Sequence, residues 1–180
     1  AAERWDALAL PDFQVIEHNG RPLAGPVRAF TQDRQGFIWI TADGVLWRWD
    51  GYELRKAGFE GMASDSPDVP EVLFAKSDPK DVLWVGTNSG LYRLDQQRLM
   101  LKRVETGVLD SQTLELVAFD YADGKERIFL AGDNTLFSLQ DGNVKKIAIG
   151  GSDNRIHALL VADNGRLWVG SNTGLLYSDR

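Results

Sequence analysis

The sequence contains no cysteine. Disulfides and thiolate metal sites are therefore excluded, and the absence fits any cellular compartment. Histidine is nearly absent as well: His18 and His157 are the only two, and they stand far apart in the chain. No His/Asp/Glu group has the spacing of a metal site, and the Asp-rich turns at Asp141 and Asp163 lack the ligand series of a calcium loop. No motif for a nucleophile, a catalytic carboxylate pair or a cofactor is present, so no catalytic residue, metal or cofactor is expected. No apolar run approaches the roughly 18 residues of a membrane span, so no insertion of this segment into a bilayer is expected. Basic charge is in deficit, with 20 Lys and Arg against 26 Asp and Glu. The net charge of -6 leaves no basic stripe for nucleic acid and no run for anionic lipid. Proline is scarce, with 6 residues, but glycine reaches 18, which suits tight turns between short strands. The start, Ala1-Ala2-Glu3, fits two readings: what remains after signal-peptidase cleavage at a small-residue site, or an arbitrary boundary.

What is present is repetition. Trp84-Val-Gly-Thr-Asn-Ser-Gly-Leu91 returns as Trp168-Val-Gly-Ser-Asn-Thr-Gly-Leu175, identical but for exchanges of Ser and Thr. Altered copies begin at Trp39 and Phe129, so the anchoring aromatics step by 45, 45 and 39 residues. Asp33, Asp78 and Asp123 each precede their anchor by six residues, and Asp163 precedes Trp168 by five. A carboxylate in that position accepts backbone N–H groups two residues on and pins a turn. Around each anchor, short apolar segments are punctuated by Asp-Gly and Asn-Gly pairs, among the strongest hairpin signals.

Four short antiparallel strands in about 40–45 residues make one propeller blade. The expected fold is all-β: a propeller segment of four four-stranded antiparallel blades, part of a larger propeller. The blades fall at about 27–57, 70–105, 113–149 and 155–178. The aromatics belong on second strands, sandwiched between blades. The fourth unit lacks its outer strand, and Phe13 to Glu17 reads as a strand without a unit. It is expected to belong to a closing blade, either unit four or a last blade beyond these four.

The repeats resemble those of the two-component regulator propeller family. The residues that carry the likeness are Gln32 to Thr41 with Asp50-Gly51, Leu83 to Thr87 with Gly90 to Arg93, and Asp163 to Gly170 with Gly174-Leu175. Unit three departs, having neither the Trp nor the Gly-Leu pair. The resemblance implies a non-enzymatic, extracytoplasmic sensor or ligand-binding propeller of a bacterial signal-transduction receptor, on the periplasmic or extracellular side of the membrane. A protein-interaction or structural propeller is the alternative, and a propeller hydrolase or lyase a distant third.

Topology suggests where a ligand would sit. The loops between second and third strands emerge on one face, with Asp43, Asn88, Ser89, Asp133, Asn134, Asn172 and Thr173 at their tips. These residues could hydrogen-bond a small polar solute such as a saccharide, and they are also what tight turns require. Self-association through uncovered blade faces is the other partner expected.

Overall fold

The computed structural model describes residues 13–23, 25–121, 125–132, 134–149 and 154–178. The turn at Ala122 to Gly124, the start Ala1-Ala2-Glu3 and Asp133 lie outside them. Among the described residues every regular element is a strand. A small hairpin, β1 (Glu17–His18) with β2 (Arg21–Pro22), comes first. Blade one follows as β3 (Val27–Gln32), β4 (Ile38–Ala42), β5 (Val45–Trp49) and β6 (Leu54–Lys56). After β7 (Gly58–Phe59), blade two has β8 (Val72–Ser77), β9 (Leu83–Thr87), β10 (Gly90–Asp95) and β11 (Met100–Arg103). Blade three has β12 (Leu116–Asp120), β13 (Arg127–Gly132), β14 (Thr135–Gln140) and β15 (Asn143–Ile147). Blade four has β16 (Ile156–Val161), β17 (Leu167–Ser171) and β18 (Gly174–Tyr177). Within each blade the strands pair antiparallel in chain order. The four sheets form a β-propeller arrangement.

The turns follow from residue chemistry. At Asp43-Gly44 and Asp141-Gly142 both residues take positive φ, 50° and 71° in the first pair and 51° and 77° in the second. This is the two-residue turn whose twist matches the flanking strands, and Asx-Gly tolerates it best.

The aromatic anchors occupy equivalent places in β4, β9, β13 and β17, facing Arg48, Arg93, Ser138 and Tyr177 across the ladder. Trp39 and Trp84 are 0% exposed. Their surroundings show why. Trp39 packs with Leu83, Val85 and Tyr92 of blade two. Trp84 packs with Ile128, Leu130 and Phe137 of blade three, and Phe129 with Leu167 and Val169 of blade four. The core is therefore three sandwiches between neighbouring sheets. Trp168 stays half-buried, with Tyr177 beside it at 5.3 Å between ring centroids.

The six-residue spacing has a second cause that the turn alone does not supply. Asp33 Oδ1 accepts the backbone N–H groups of Gln35 and Phe37, at 3.0 Å each, and Oδ2 accepts the indole N–H of Trp39 at 2.8 Å. Asp78 repeats this with Lys80 and Val82 at 2.8 Å and Trp84 at 3.0 Å. A buried indole N–H needs an acceptor, and a carboxylate at the hairpin provides it. In blade four Asn164 Oδ1 takes the turn N–H of Arg166, at 3.1 Å.

Two features differ from the sequence reading. The segment Phe13 to Glu17 is not a strand of blade four. Only Glu17 is in a strand, paired within the β1–β2 hairpin, and Ile16 and Leu23 lie on the outward side of blade one against Ile38, Ile40 and Trp47. Burial of those two side chains on the nearest apolar sheet decides the placement. The connection 57–70 is also more ordered than its Gly, Ser and Pro content suggests. Here β7 adds a parallel fifth strand to blade two, and Phe59 meets Tyr92 edge-on at 5.0 Å.

The two copies of the Trp-Val-Gly motif should respond differently to the same change. An added Cβ at Gly86 would lie 2.0 Å from Phe74 Cε1 and 2.6 Å from the Leu114 carbonyl, whereas at Gly170 the nearest atom is 3.4 Å away. Urea denaturation should show Gly86→Ala destabilised by about 1–3 kcal/mol, as overpacked cores are, and Gly170→Ala changed by less than about 0.5 kcal/mol.

Candidate functional site

In blades one, two and four the tip of the second turn ties its blade to the chain entering that blade's first strand. The N–H of Asp43 donates to the Pro26 carbonyl at 3.4 Å, that of Asn88 to Glu71 at 3.1 Å and that of Asn172 to Arg155 at 3.1 Å. Asn88 doubles the latch, its Oδ1 accepting the Glu71 N–H at 3.0 Å. Thr173 uses its hydroxyl likewise, donating to Asn154 Oδ1 at 2.6 Å. Ser89 receives an Arg103 guanidinium N–H at 3.4 Å. Asn134 begins β14's turn, and Asp133 lies outside the described residues. The turns of blades one, two and four are thus neighbours of blade connections.

The cavity that all four blades reach lies at the other end of the first strands. Its volume is about 490 Å3. Blades one and two supply its polar half, with Thr31, Gln32, Arg34, Lys76 and Asp81. Blades three and four supply its apolar half, with Ala118, Phe119, Leu159, Leu160 and Val161. Asp33 and Asp78 are in its wall but only 5% and 6% exposed, each already holding three N–H donors. Their first hairpins are linked blade to blade. Arg34 donates its backbone N–H to Asp81 Oδ1 at 2.9 Å and its guanidinium to the Pro79 carbonyl. Lys80 passes the link onward to Glu126 at 2.8 Å, its ammonium lying 5.3 Å from the Tyr121 ring centroid.

Tyr121 shows the electrostatics of this rim. Its hydroxyl donates to Glu126 Oε1 at 3.3 Å. Burial, then the neighbouring Asp78 and Glu126 carboxylates, pushes the phenol well above its ordinary value. Lys76, an exposed residue, lines the cavity with its ammonium 6.0 Å from the Phe119 ring centroid and, among the described residues, is in no ion pair. The sequence reading missed Lys76, Phe119 and Leu160. A usable signal existed: Lys76 stands one 45-residue step after Thr31, at the same ladder position opposite the anchor Trp.

Neither histidine joins the cavity. His18 leans on Trp47, 4.8 Å between centroids, and His157 is exposed on β16. No group of three metal-ligating side chains occurs among the described residues, and no helix there is long and apolar enough to cross a membrane.

Four such blades define the class as a β-propeller. Residues 150–173, the heart of blade four, match the model of the two component regulator propeller family, so the repeat resemblance holds there. The extracellular domain of BT4673 from B. thetaiotaomicron, described both as a one component and as a hybrid two component system, is similar in fold. Its TM-score is 0.69 at 20% identity, over 87% of this chain and 20% of that chain. Virginiamycin B lyase from Staphylococcus aureus has TM-score 0.61 at 14% identity, over 88% of this chain and 58% of that one. YCF48, solved bound to a D1 peptide, has TM-score 0.61 at 14% identity, over 86% and 52%. At such identities the likeness is one of fold. The chain spans about a fifth of the BT4673 domain. No curated protein matches it significantly.

A phenol held protonated in the fold weakens the fold once the unfolded chain can ionise it. The contribution of Tyr121 is therefore intact below its unfolded value, about 10, and is lost as the pH rises above that. The phenolate absorbance due to Tyr121, isolated by difference against Tyr121→Phe, should appear only together with alkaline unfolding. Its appearance in the still-folded protein would contradict this environment.

Proposed function

We propose that this chain is a non-enzymatic, extracytoplasmic segment of the sensor propeller of a bacterial signal-transduction receptor, on the periplasmic or extracellular side of the membrane. The observation that carries the reading is the family match over blade four. The fold of the BT4673 extracellular domain agrees with it. A lyase also uses a propeller of this kind, so the fold alone does not decide against catalysis. What weighs against it here is the site: the cavity's buried carboxylates are consumed by turn and indole donors, and both histidines lie elsewhere. The ligand of such a sensor is a small polar or amphipathic molecule. The turn residues Asn88 and Thr173 hydrogen-bond the chain entering their own blades, and a polar ligand at that face would compete with those bonds.

We infer further that the four blades belong to a larger ring. Phe30, 76% exposed, stands uncovered on blade one, and Leu160, Leu175 and Tyr177 on blade four. The positions of Phe30 and Leu175 correspond to those of Ala75 and Leu91, which are buried between neighbouring blades inside the chain. The same apolar faces favour a second reading, an interaction module that binds protein through them.

Two experiments separate the readings. Alkaline phosphatase fused after Tyr177 in the native gene should be active, as an extracytoplasmic position requires. An inactive phosphatase at a site where a β-galactosidase fusion works would overturn the sensor assignment. In sedimentation velocity the purified chain should associate with rising concentration, and Phe30→Glu combined with Leu175→Glu should leave it monomeric. Association unchanged by both substitutions would place the contact on another surface.

A further inference from the structure

The cavity's two halves differ in chemistry, and the difference specifies a ligand. Its carboxylates are spoken for: Asp33 and Asp78 each accept two backbone N–H groups and an indole, and Asp81 accepts the Arg34 N–H. Each negative charge there already has donors. Lys76 is the opposite case. Its ammonium projects over Phe119 and pairs with no carboxylate among the described residues. Phe119, Val161 and Leu160 line the same cavity. The other cation of the wall, Arg34, gives its guanidinium to the Pro79 carbonyl, and an apolar surface opposite the Lys76 ammonium is poorly matched to a ligand covered in hydroxyls. It suits a molecule with one anionic end and an apolar body.

We propose that the axial cavity binds a small organic carboxylate. The carboxylate takes the Lys76 ammonium, and the aliphatic or aromatic body lies on Phe119, Leu160 and Val161. The volume of about 490 Å3 admits a molecule of that kind. The net charge of -6 does not forbid it, since charges farther than about 8–10 Å through solvent are largely screened at physiological salt. The inference rests on the sensor reading for its biological meaning. It is tested without reference to cellular location, so either can fail alone.

The test is a titration of the full chain followed by amide NMR, with phenylacetate, its neutral counterpart phenylacetamide, and glucose as probes. Phenylacetate should shift resonances at Lys76, Phe119 and Leu160. Lys76→Gln should weaken it about tenfold, the loss of one charge-assisted hydrogen bond, and Lys76→Arg should restore most of the affinity. Phenylacetamide should bind about tenfold more weakly than phenylacetate. Equal binding of acid and amide, or binding indifferent to Lys76→Gln, overturns the carboxylate assignment. Glucose shifting these resonances while phenylacetate does not overturns it in favour of a saccharide. Shifts confined to the turns around Asn88 and Asn172 overturn the location, and silence from all three probes overturns the site.

Discussion

A buried indole N–H has to be given an acceptor, and in this chain the acceptor is the aspartate six residues earlier. That hydrogen bond joins two tasks that could have been separate. One oxygen of Asp33 or Asp78 closes the first hairpin onto backbone N–H groups, and the other fixes the aromatic that fills the gap to the next blade. The carboxylate is shielded from water and carries three donors, so its burial costs little. Removing the indole donor would leave it one partner short inside the sandwich. Turn geometry, strand register and packing between blades are therefore set by the same side chain.

The consequence reaches the axis. The hairpins pinned by Asp33 and Asp78 carry Arg34, Pro79 and Asp81 and end the strands that bear Thr31 and Lys76. Arg34, Lys80 and Glu126 then tie hairpin to hairpin across blades. A cavity lined by loops held in this way is preorganised, which is what binding a small molecule requires. On the opposite face Asn88 and Thr173 anchor blades two and four to their incoming chain.

Much of the architecture was readable because a repeat reports itself. The spacing of Trp39, Trp84, Phe129 and Trp168 placed four second strands, and Asp-Gly pairs placed the turns between them. What escaped depends on partners that no local pattern names. In place of the strand expected at Phe13 to Glu17 there is a short hairpin, and Ile16 and Leu23 beside it pack on the apolar sheet of blade one. β7 formed because Phe59 could bury against Tyr92, which is remote in sequence. Polar turn tips at Asn88 and Thr173 read equally as ligand groups or as latches, and only the positions of Glu71 and Asn154 show the second role. Lys76 looked like any strand cation until blade three brought Phe119 near its ammonium.

The most direct test of this account is a double-mutant cycle on Asp78 and Trp84, measured by urea denaturation. Trp84→Phe keeps the ring's packing in large part and removes the N–H; Asp78→Ala removes the acceptor. Combined with the double variant, the cycle cancels packing losses that do not depend on the pair. The account predicts a coupling of about 1.5–3 kcal/mol, the range of a buried hydrogen bond to a charged group. A coupling within about 0.5 kcal/mol of zero would mean that aspartate and tryptophan act independently, and that the buried pair is not what holds the blade together.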